Sequence, residues 1–339
     1  MSESIRAAVA TALIARFGPG AVIEEWGGSE QREWSWQFGF RVGGERGGEF
    51  IAKVPRWEEA RTLEAAIAAG EQANTAAEYA GLVEIADAVA SSGNPGLAAV
   101  EPVAFVGGVN TIVMRRLQGI PLRSRVGIVG GRGDVSVLFG RLGEWLALFH
   151  ALAGGIERVV WNATAELERL RLIEGRLTEA KAAPFGLPQA FAGLREWVGR
   201  LEGADEPATQ THGDLNLSNV LVTSDDRVAV VDPNRSRGLA LDDVARVITD
   251  IRLERRQLAV GGLLRRAATA DDWERRMTFA AGYSGETLLP YRLALHTLQR
   301  WIDLEATVAG PARIGLFVGR RLLRSEMKRR LDAGRSTSA

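Results

Sequence analysis

The sequence predicts an α+β fold of two lobes, a small antiparallel-sheet lobe followed by a larger, mainly helical one. Three observations carry this reading. The first third holds short runs with alternating aromatic residues between glycine turns, most clearly Trp34-Ser35-Trp36-Gln37-Phe38-Gly39-Phe40-Arg41-Val42, the period of two that a half-buried strand requires. After Gly119-Ile120-Pro121-Leu122 the period lengthens: Leu142, Trp145, Leu146 and Phe149 recur at i, i+3, i+4 and i+7, one helix face turned to a core. At 339 residues the chain also exceeds the ~100–200 typical of one domain, and the change of period divides it into residues 1–115 and 116–339.

Taken in order, residues 4–17 read as an amphipathic helix, because Arg6 and Arg16 break the apolar run that a secretory leader would need. A strand over 22–26, a turn at Gly27-Gly28-Ser29 and the strand 34–42 follow. Residues 43–48 form a hairpin connection whose glycines accept positive φ, and 50–54 are a third strand. Alanine-rich helices are expected over 58–69 and 71–90, stopped by Ser91-Ser92-Gly93-Asn94-Pro95-Gly96. Two more strands fit 100–105 and 110–114. From Phe139 onward helices dominate and are interrupted once, by residues 211–232, where Val220-Leu221-Val222 and Val228-Ala229-Val230-Val231 flank a polar turn.

A content of 46% hydrophobic and 25% charged residues is that of an ordinary globular protein. No run approaches the ~18 apolar residues of a membrane span. The absence of cysteine excludes a disulfide framework and a thiolate metal site, and a cytoplasmic setting is expected. Formal net charge is zero, yet residues 1–234 carry −8 and residues 235–339 carry +8. A near-neutral chain whose second half lacks basic strands interleaved with aromatic residues does not read as a nucleic-acid scaffold.

The residues that carry chemistry are Thr211-His212-Gly213-Asp214-Leu215-Asn216-Leu217-Ser218-Asn219, followed after the 220–231 hairpin by Asp232-Pro233. Phosphoryl transfer needs a carboxylate beside the acceptor hydroxyl and hard oxygen ligands that hold magnesium against the phosphates. His-x-Asp-x-x-x-x-Asn, with a later Asp closing a hairpin, supplies both. The plainer alternative is a set of turn-forming Asp and Asn residues.

At these residues the chain resembles the aminoglycoside phosphotransferase and choline kinase family, whose members show His-Gly-Asp where protein kinases show His-Arg-Asp. The resemblance runs over about 22–301 and implies a two-lobed protein-kinase-like fold using ATP, or GTP in its place, with Mg2+. It makes Asp214 the residue that orients and deprotonates the acceptor hydroxyl, Asn219 and Asp232 the magnesium ligands, and His212 architectural. Lys53, ending an apolar strand, would contact the α- and β-phosphates. Glu78 would position that lysine, with Glu71 and Glu84 as competitors that helical spacing does not eliminate. The phosphate-covering segment lacks G-x-G-x-x-G, leaving the backbone amides of Gly28 and Ser29 to take that part. Residues 110–122 resemble the family's inter-lobe connection: Met114 would border the adenine pocket, and main-chain groups around Arg115 and Leu117 would pair with the base. Asp242 and Asp243 resemble the start of the family's Asp-Leu-Ala helix, for which capping suffices. His150 and His296 read as packed core histidines.

In this family the helices of the second lobe build the acceptor pocket, and a cationic aminoglycoside wants a carboxylate-rich wall. The net positive charge of 235–339 therefore argues for a hydroxyl of a neutral or anionic small molecule, such as a sugar, sugar phosphate or glycoconjugate. An aminoglycoside-type antibiotic kinase and a catalytically silent nucleotide-binding module are the alternatives. No transmembrane segment is expected. The cluster around Arg320, Arg321, Arg324, Lys328, Arg329 and Arg330 offers a peripheral contact with an anionic membrane, and the oligomeric state is left open.

Overall fold

The computed structural model describes residues 3–31, 34–44, 47–56, 62–68, 72–126, 135–152, 154–178, 186–254, 267–307 and 313–336, some by backbone alone. Contacts divide the chain into two compact units, Met1–Gly119 with Thr223–Val231, and Ile120–Val222 with Asp232–Ala339.

The first unit is built on β1 (Ile23–Gln31), β2 (Ser35–Val42), β3 (Gly48–Pro55), β4 (Pro102–Val106) and β5 (Thr111–Arg115), with helices α1 (Glu3–Phe17), α2 (Leu63–Ala68) and α3 (Gln72–Ser92). The strands form one sheet in the order β1-β2-β3-β5-β4, every neighbouring pair antiparallel. The period of two seen in the sequence sorts its residues by face. Trp36, Phe38, Phe40, Phe50, Ala52, Val54 and Val113 enter one core with Ile5, Val9 and Leu13 of α1. The intervening residues Gln37, Gly39, Ile51 and Lys53 take the other face.

The turn expected at Gly27-Gly28-Ser29 lies inside β1 instead. The ladder to β2 continues beyond it through Glu30↔Gln37 and Gln31↔Trp36, with an irregularity between Trp26 and Glu30 that absorbs the extra residues. Continued pairing satisfies amides that a free turn would leave to water. The first part of the helix expected over 58–69, and Glu71, fall outside the described residues.

The second unit contains α4 (Leu122–Val126), α5 (Val135–His150), α6 (Ala163–Thr178), α7 (Leu187–Arg200), α8 (Ala240–Glu254), α9 (Ala267–Ala280), α10 (Leu289–Thr307) and α11 (Arg313–Ser336). The stripe Leu142, Trp145, Leu146 and Phe149 of α5 is fully buried. Short strands β6 (Gly119–Pro121), β9 (Val220–Thr223) and β10 (Val228–Val230) lie where the chain passes between the units.

The helical region is interrupted more often than the sequence suggests. β7 (Glu157–Val160), β8 (Asp205–Thr211) and β11 (Ser236–Leu239) form an antiparallel sheet with β8 in the centre. Asp205-Glu206-Pro207-Ala208-Thr209-Gln210-Thr211 carries almost no apolar signal because most of its buried side chains are polar and bond to partners distant in sequence. Glu206 accepts from Arg292 at 2.6 and 3.0 Å, Thr209 donates to the His150 carbonyl, and Gln210 accepts from Arg235. β8 ends directly in His212, so this sheet delivers the chemistry-bearing loop.

Candidate active site

In the first unit, β3 places Lys53 on the sheet face opposite the aromatic core. There its ammonium lies 2.8 Å from Glu78 Oε1 of α3, with both side chains largely buried. Glu78, one of the three glutamates that helical spacing leaves open, is thus brought to Lys53. The chain uses arginine for almost every cation and has only three lysines, Lys53, Lys181 and Lys328. A compact ammonium at position 53 suits a point contact with a phosphate oxygen better than a guanidinium fork does.

Strand register aligns Trp26, Gly39, Ile51 and Met114 across the sheet, two residues along each of β2, β3 and β5 from the Gln37, Lys53 and Ile112 row. A Cβ at residue 39 would sit 2.8 Å from the Trp26 ring and 2.4 Å from its carbonyl oxygen, so only glycine lets the indole lie on this face. The Arg116 guanidinium lies 4.5 Å from the centre of that ring. The Arg115 amide donates to the Glu101 carbonyl and the Arg116 amide to the Glu49 carbonyl. Arg115's side chain is held by Glu101 and the Gly47 carbonyl. No hydrogen bond among the described residues engages Leu117. Gly28 and Ser29 are described by backbone only, as part of β1.

In the second unit, residues 211–219 are held from below by two buried carboxylates of α8. Asp243, 1% exposed, accepts the amides of His212 at 2.6 Å and Gly213 at 3.0 Å. Asp250 accepts the amide of Leu217 at 3.3 Å and the Arg300 guanidinium at 2.6 Å. Gly213 has φ +78° with Asn234 and Ser236 close against it, so the bend that turns Asp214 outward calls for glycine. His212 is fully buried and its Nδ1 accepts the Asp214 amide.

The side-chain amides of Asn216 and Asn219 both donate to the Asp214 carbonyl, at 3.0 and 2.9 Å. Turning its NH2 group that way leaves the Asn219 carbonyl oxygen as its acceptor. Asp232 holds a left-handed φ of +56°, and two residues later the Asn234 amide ties the segment to the His212 carbonyl at 2.9 Å. An amide oxygen and a carboxylate are the hard donors that Mg2+ takes, and a two-residue set fits an ion whose remaining positions go to phosphates and water. Among the described residues there is no cluster of three or more His, Cys, Asp or Glu side chains able to cage a metal alone.

The Asp214 carboxylate stands at a cavity of about 280 Å³ within the second unit. Asn216, Arg246 and Thr249 line it from one side, and His296, Gln299, Arg300 and Asp303 of α10 from another. Arg246 Nη1 lies 3.3 Å from Asp214 Oδ1.

A family model, the APH phosphotransferase enzyme family, matches residues 30–279. The chain belongs to this phosphotransferase family. Among solved structures it is similar to a glucosamine kinase in complex with glucosamine, ADP and inorganic phosphate. That likeness has 16% identity and a TM-score of 0.57, covering 96% of this chain and 83% of the other. It is also similar to the macrolide 2'-phosphotransferase of Brachybacterium faecium, at 18% identity and a TM-score of 0.50, covering 93% and 97%. No curated protein matches. These likenesses show the protein-kinase-like fold, and the family makes the chain a small-molecule phosphotransferase acting on a hydroxyl group. No helix among the described residues is long and apolar enough to cross a membrane.

Several residues of the phosphotransferase that line the cavity beside Asp214 escape a reading by motif. His296, Gln299, Arg300 and Asp303 fall at i, i+3, i+4 and i+7, a polar stripe on a helix whose other faces are buried, which is the signal that would have marked them. His150 and His296 are buried as expected, but each also serves a carboxylate: His150 Nε2 is 3.3 Å from Asp243, and His296 Nε2 is 3.1 Å from Asp242. The two aspartates, read as helix caps, bond outside their own helix because the 211–219 loop and α10 present donors to them. Burial opposes ionisation of Asp242, but the His296 hydrogen bond and the charges of Arg292 and Arg169 hold its carboxyl far below the ordinary range.

Proposed function

We propose that this phosphotransferase moves the γ-phosphoryl group of Mg-ATP to a hydroxyl of a small sugar or glycoconjugate. The observation that carries the reading is Asp214 on the rim of a cavity of about 280 Å³ with mixed, charge-balanced walls. That volume lies just below the ~300–1,000 Å³ of sites for drug-sized ligands, which suits a compact acceptor better than a multi-ring aminoglycoside.

In this reading the acceptor hydroxyl gives its proton to Asp214, its oxygen bonds to the γ-phosphorus, and ADP departs with the electrons of the broken P–O bond. Lys53, oriented by Glu78, holds the α- and β-phosphate oxygens. The backbone amides of Gly28 and Ser29 lie over the phosphates. Met114 borders the base, and the Arg115 carbonyl with the backbone of Leu117 pairs with it, since the Arg115 amide is already engaged. Asn219 and Asp232 hold Mg2+, which when bound neutralises phosphate charge. GTP is the alternative donor. A cytoplasmic setting accords with an ATP-dependent reaction.

The test is Mg-dependent nucleotide binding and slow ATP hydrolysis without any acceptor. Asp232→Ala is expected to lose metal-dependent binding, and Asp214→Ala to keep binding while losing hydrolysis. A wild-type protein that binds neither ATP nor GTP would refute the reading.

A further inference from the structure

Beside Asp214 stands a cation that a site for amino-group acceptors should not contain. Arg246 lies on α8 with Nη1 3.3 Å from Asp214 Oδ1, while its Nε is buried and has no hydrogen-bond partner. Across the cavity, Arg300 is anchored to the buried carboxylate of Asp250 at 2.6 Å. Among the described residues, the charged groups lining the cavity are two carboxylates, Asp214 and Asp303, and two guanidiniums, Arg246 and Arg300. His296, also on the wall, is engaged by Asp242.

An ammonium on the carbon next to the reacting hydroxyl would have to approach Asp214 where Arg246 already stands. It would gain one carboxylate shared with a guanidinium and would meet that guanidinium's charge at close range, on a rim where the Arg246 side chain is 38% and that of Asp214 69% exposed. Specificity built by such repulsion acts without any new attractive contact. An uncharged hydroxyl at the same position meets no penalty and can accept from Arg246.

The neutral groups of the wall point the same way. Thr249, 3% exposed, is one of the lining residues, and its hydroxyl lies buried just behind the wall without a hydrogen-bond partner. A buried hydroxyl left unpaired costs free energy that a ligand hydroxyl can recover. Gln299 and Asn216 add amides able to donate and accept. With a volume of about 280 Å³, such a wall suits one ring bearing several hydroxyls.

We infer that the acceptor is an uncharged, single-ring polyol and that Arg246 is a specificity-determining residue excluding amines beside the reacting hydroxyl. This rests on the assignment of Asp214 as the carboxylate that receives the acceptor hydroxyl.

The experiment measures kcat/KM for phosphate transfer from Mg-ATP to matched pairs: glucose and glucosamine, galactose and galactosamine. Myo-inositol, glucose 6-phosphate and kanamycin complete the panel. Wild type, Arg246→Met and Thr249→Val are compared, with thermal melting to establish that each is folded and acceptor-free ATP hydrolysis as the control. The inference expects each neutral sugar to exceed its amino counterpart by about ten-fold or more. In Arg246→Met that ratio falls toward one or reverses, while Thr249→Val lowers turnover of both partners and leaves the ratio in place.

Preference for the amino sugars or kanamycin in wild type would overturn it, as would a ratio unmoved by Arg246→Met. Preference for glucose 6-phosphate would overturn the uncharged class. Silence of the whole panel alongside normal Mg-ATP hydrolysis would overturn the polyol class and leave the phosphotransferase reading standing. Absence of both nucleotide binding and hydrolysis would instead remove the assignment of Asp214 on which the inference rests.

Discussion

Asp243 holds Gly213 in place: one carboxylate oxygen accepts the Gly213 amide at 3.0 Å, and the other accepts the neighbouring His212 amide at 2.6 Å. The bend that presents Asp214 is thus fixed from beneath. His150 Nε2 approaches the same carboxylate at 3.3 Å, and His150 Nδ1 meets the Tyr283 hydroxyl at 2.8 Å. Burial, reinforced by the charges of Glu286 and Asp243, pushes the Tyr283 phenol well above its ordinary range, so it remains a hydroxyl.

Replacing Asp243 with Ala strands two loop amides at once. A loss of about 2–6 kcal/mol in unfolding free energy is expected, since each buried donor left unsatisfied costs ~1–3 kcal/mol. Urea unfolding monitored by tryptophan fluorescence measures it. Tyr283→Phe removes only the outermost link and should cost about 1 kcal/mol; an equal cost for both variants would show that the carboxylate does not hold the loop.

Lys53→Met is expected to weaken Mg-ATP binding on the order of ten- to a hundred-fold, the range of one charge-assisted hydrogen bond of ~1.5–3 kcal/mol. Lys53→Arg should not restore it, because a planar fork replaces a point charge. Glu78→Gln keeps a hydrogen-bond acceptor for the lysine and should fall between wild type and Lys53→Met. Isothermal titration with Mg-ATP reads all three, and affinity unchanged in Lys53→Met would remove the lysine from the nucleotide site.

Arg292 is 1% exposed and bridges Glu206 and Glu166 of different elements. Arg292→Met takes from Glu206 and Glu166 their hydrogen-bonded cation, leaving Glu166 the more distant Arg169 at 3.9 Å, at a cost of about 3–5 kcal/mol. Thermal unfolding should show the loss. The triple change Arg292→Met, Glu206→Gln, Glu166→Gln should recover much of it by removing the stranded charges. Failure of the triple variant to improve on the single one would mean that packing, not charge, dominates there.

Glu274, like Asp242, should contribute to acid sensitivity. Burial raises its pKa, but the hydrogen bonds and charges of Arg330 and Arg252 overcome this and bring the carboxyl down to about 2 from 4.5. A carboxylate with a depressed folded-state pKa contributes stability above its unfolded value, and that stability is lost as pH falls from about 4.5 toward about 2. The contribution is about 3 kcal/mol at neutral pH. Glu274→Gln should lower stability at pH 7 and flatten the decline below about pH 4.5, read from urea midpoints at stepped pH. An unchanged slope would place the acid sensitivity elsewhere.

Much of this could be read from the residues alone. The alternation through 34–42 and 50–54 placed two central strands and their buried faces, because side-chain direction in a strand is fixed by position. The spacing of His212, Asp214 and Asn219 with Asp232 marked the loop, because a pattern within one short segment is legible without the fold. By contrast, β8 was invisible. Its buried Glu206, Thr209 and Gln210 are paid for by partners distant in sequence, so the local pattern is polar where the location is interior.

The sequence by itself determined the α+β class, the chemistry-bearing loop and the membership that those motifs imply, since all three are encoded in local period and spacing. Only the tertiary structure decided that Glu78 faces Lys53, that Asp243 grips the loop rather than capping a helix, and that Arg246 stands beside Asp214. Those are meetings between segments far apart along the chain. Their energies depend on distance and burial in the packed molecule, which composition and periodicity do not contain.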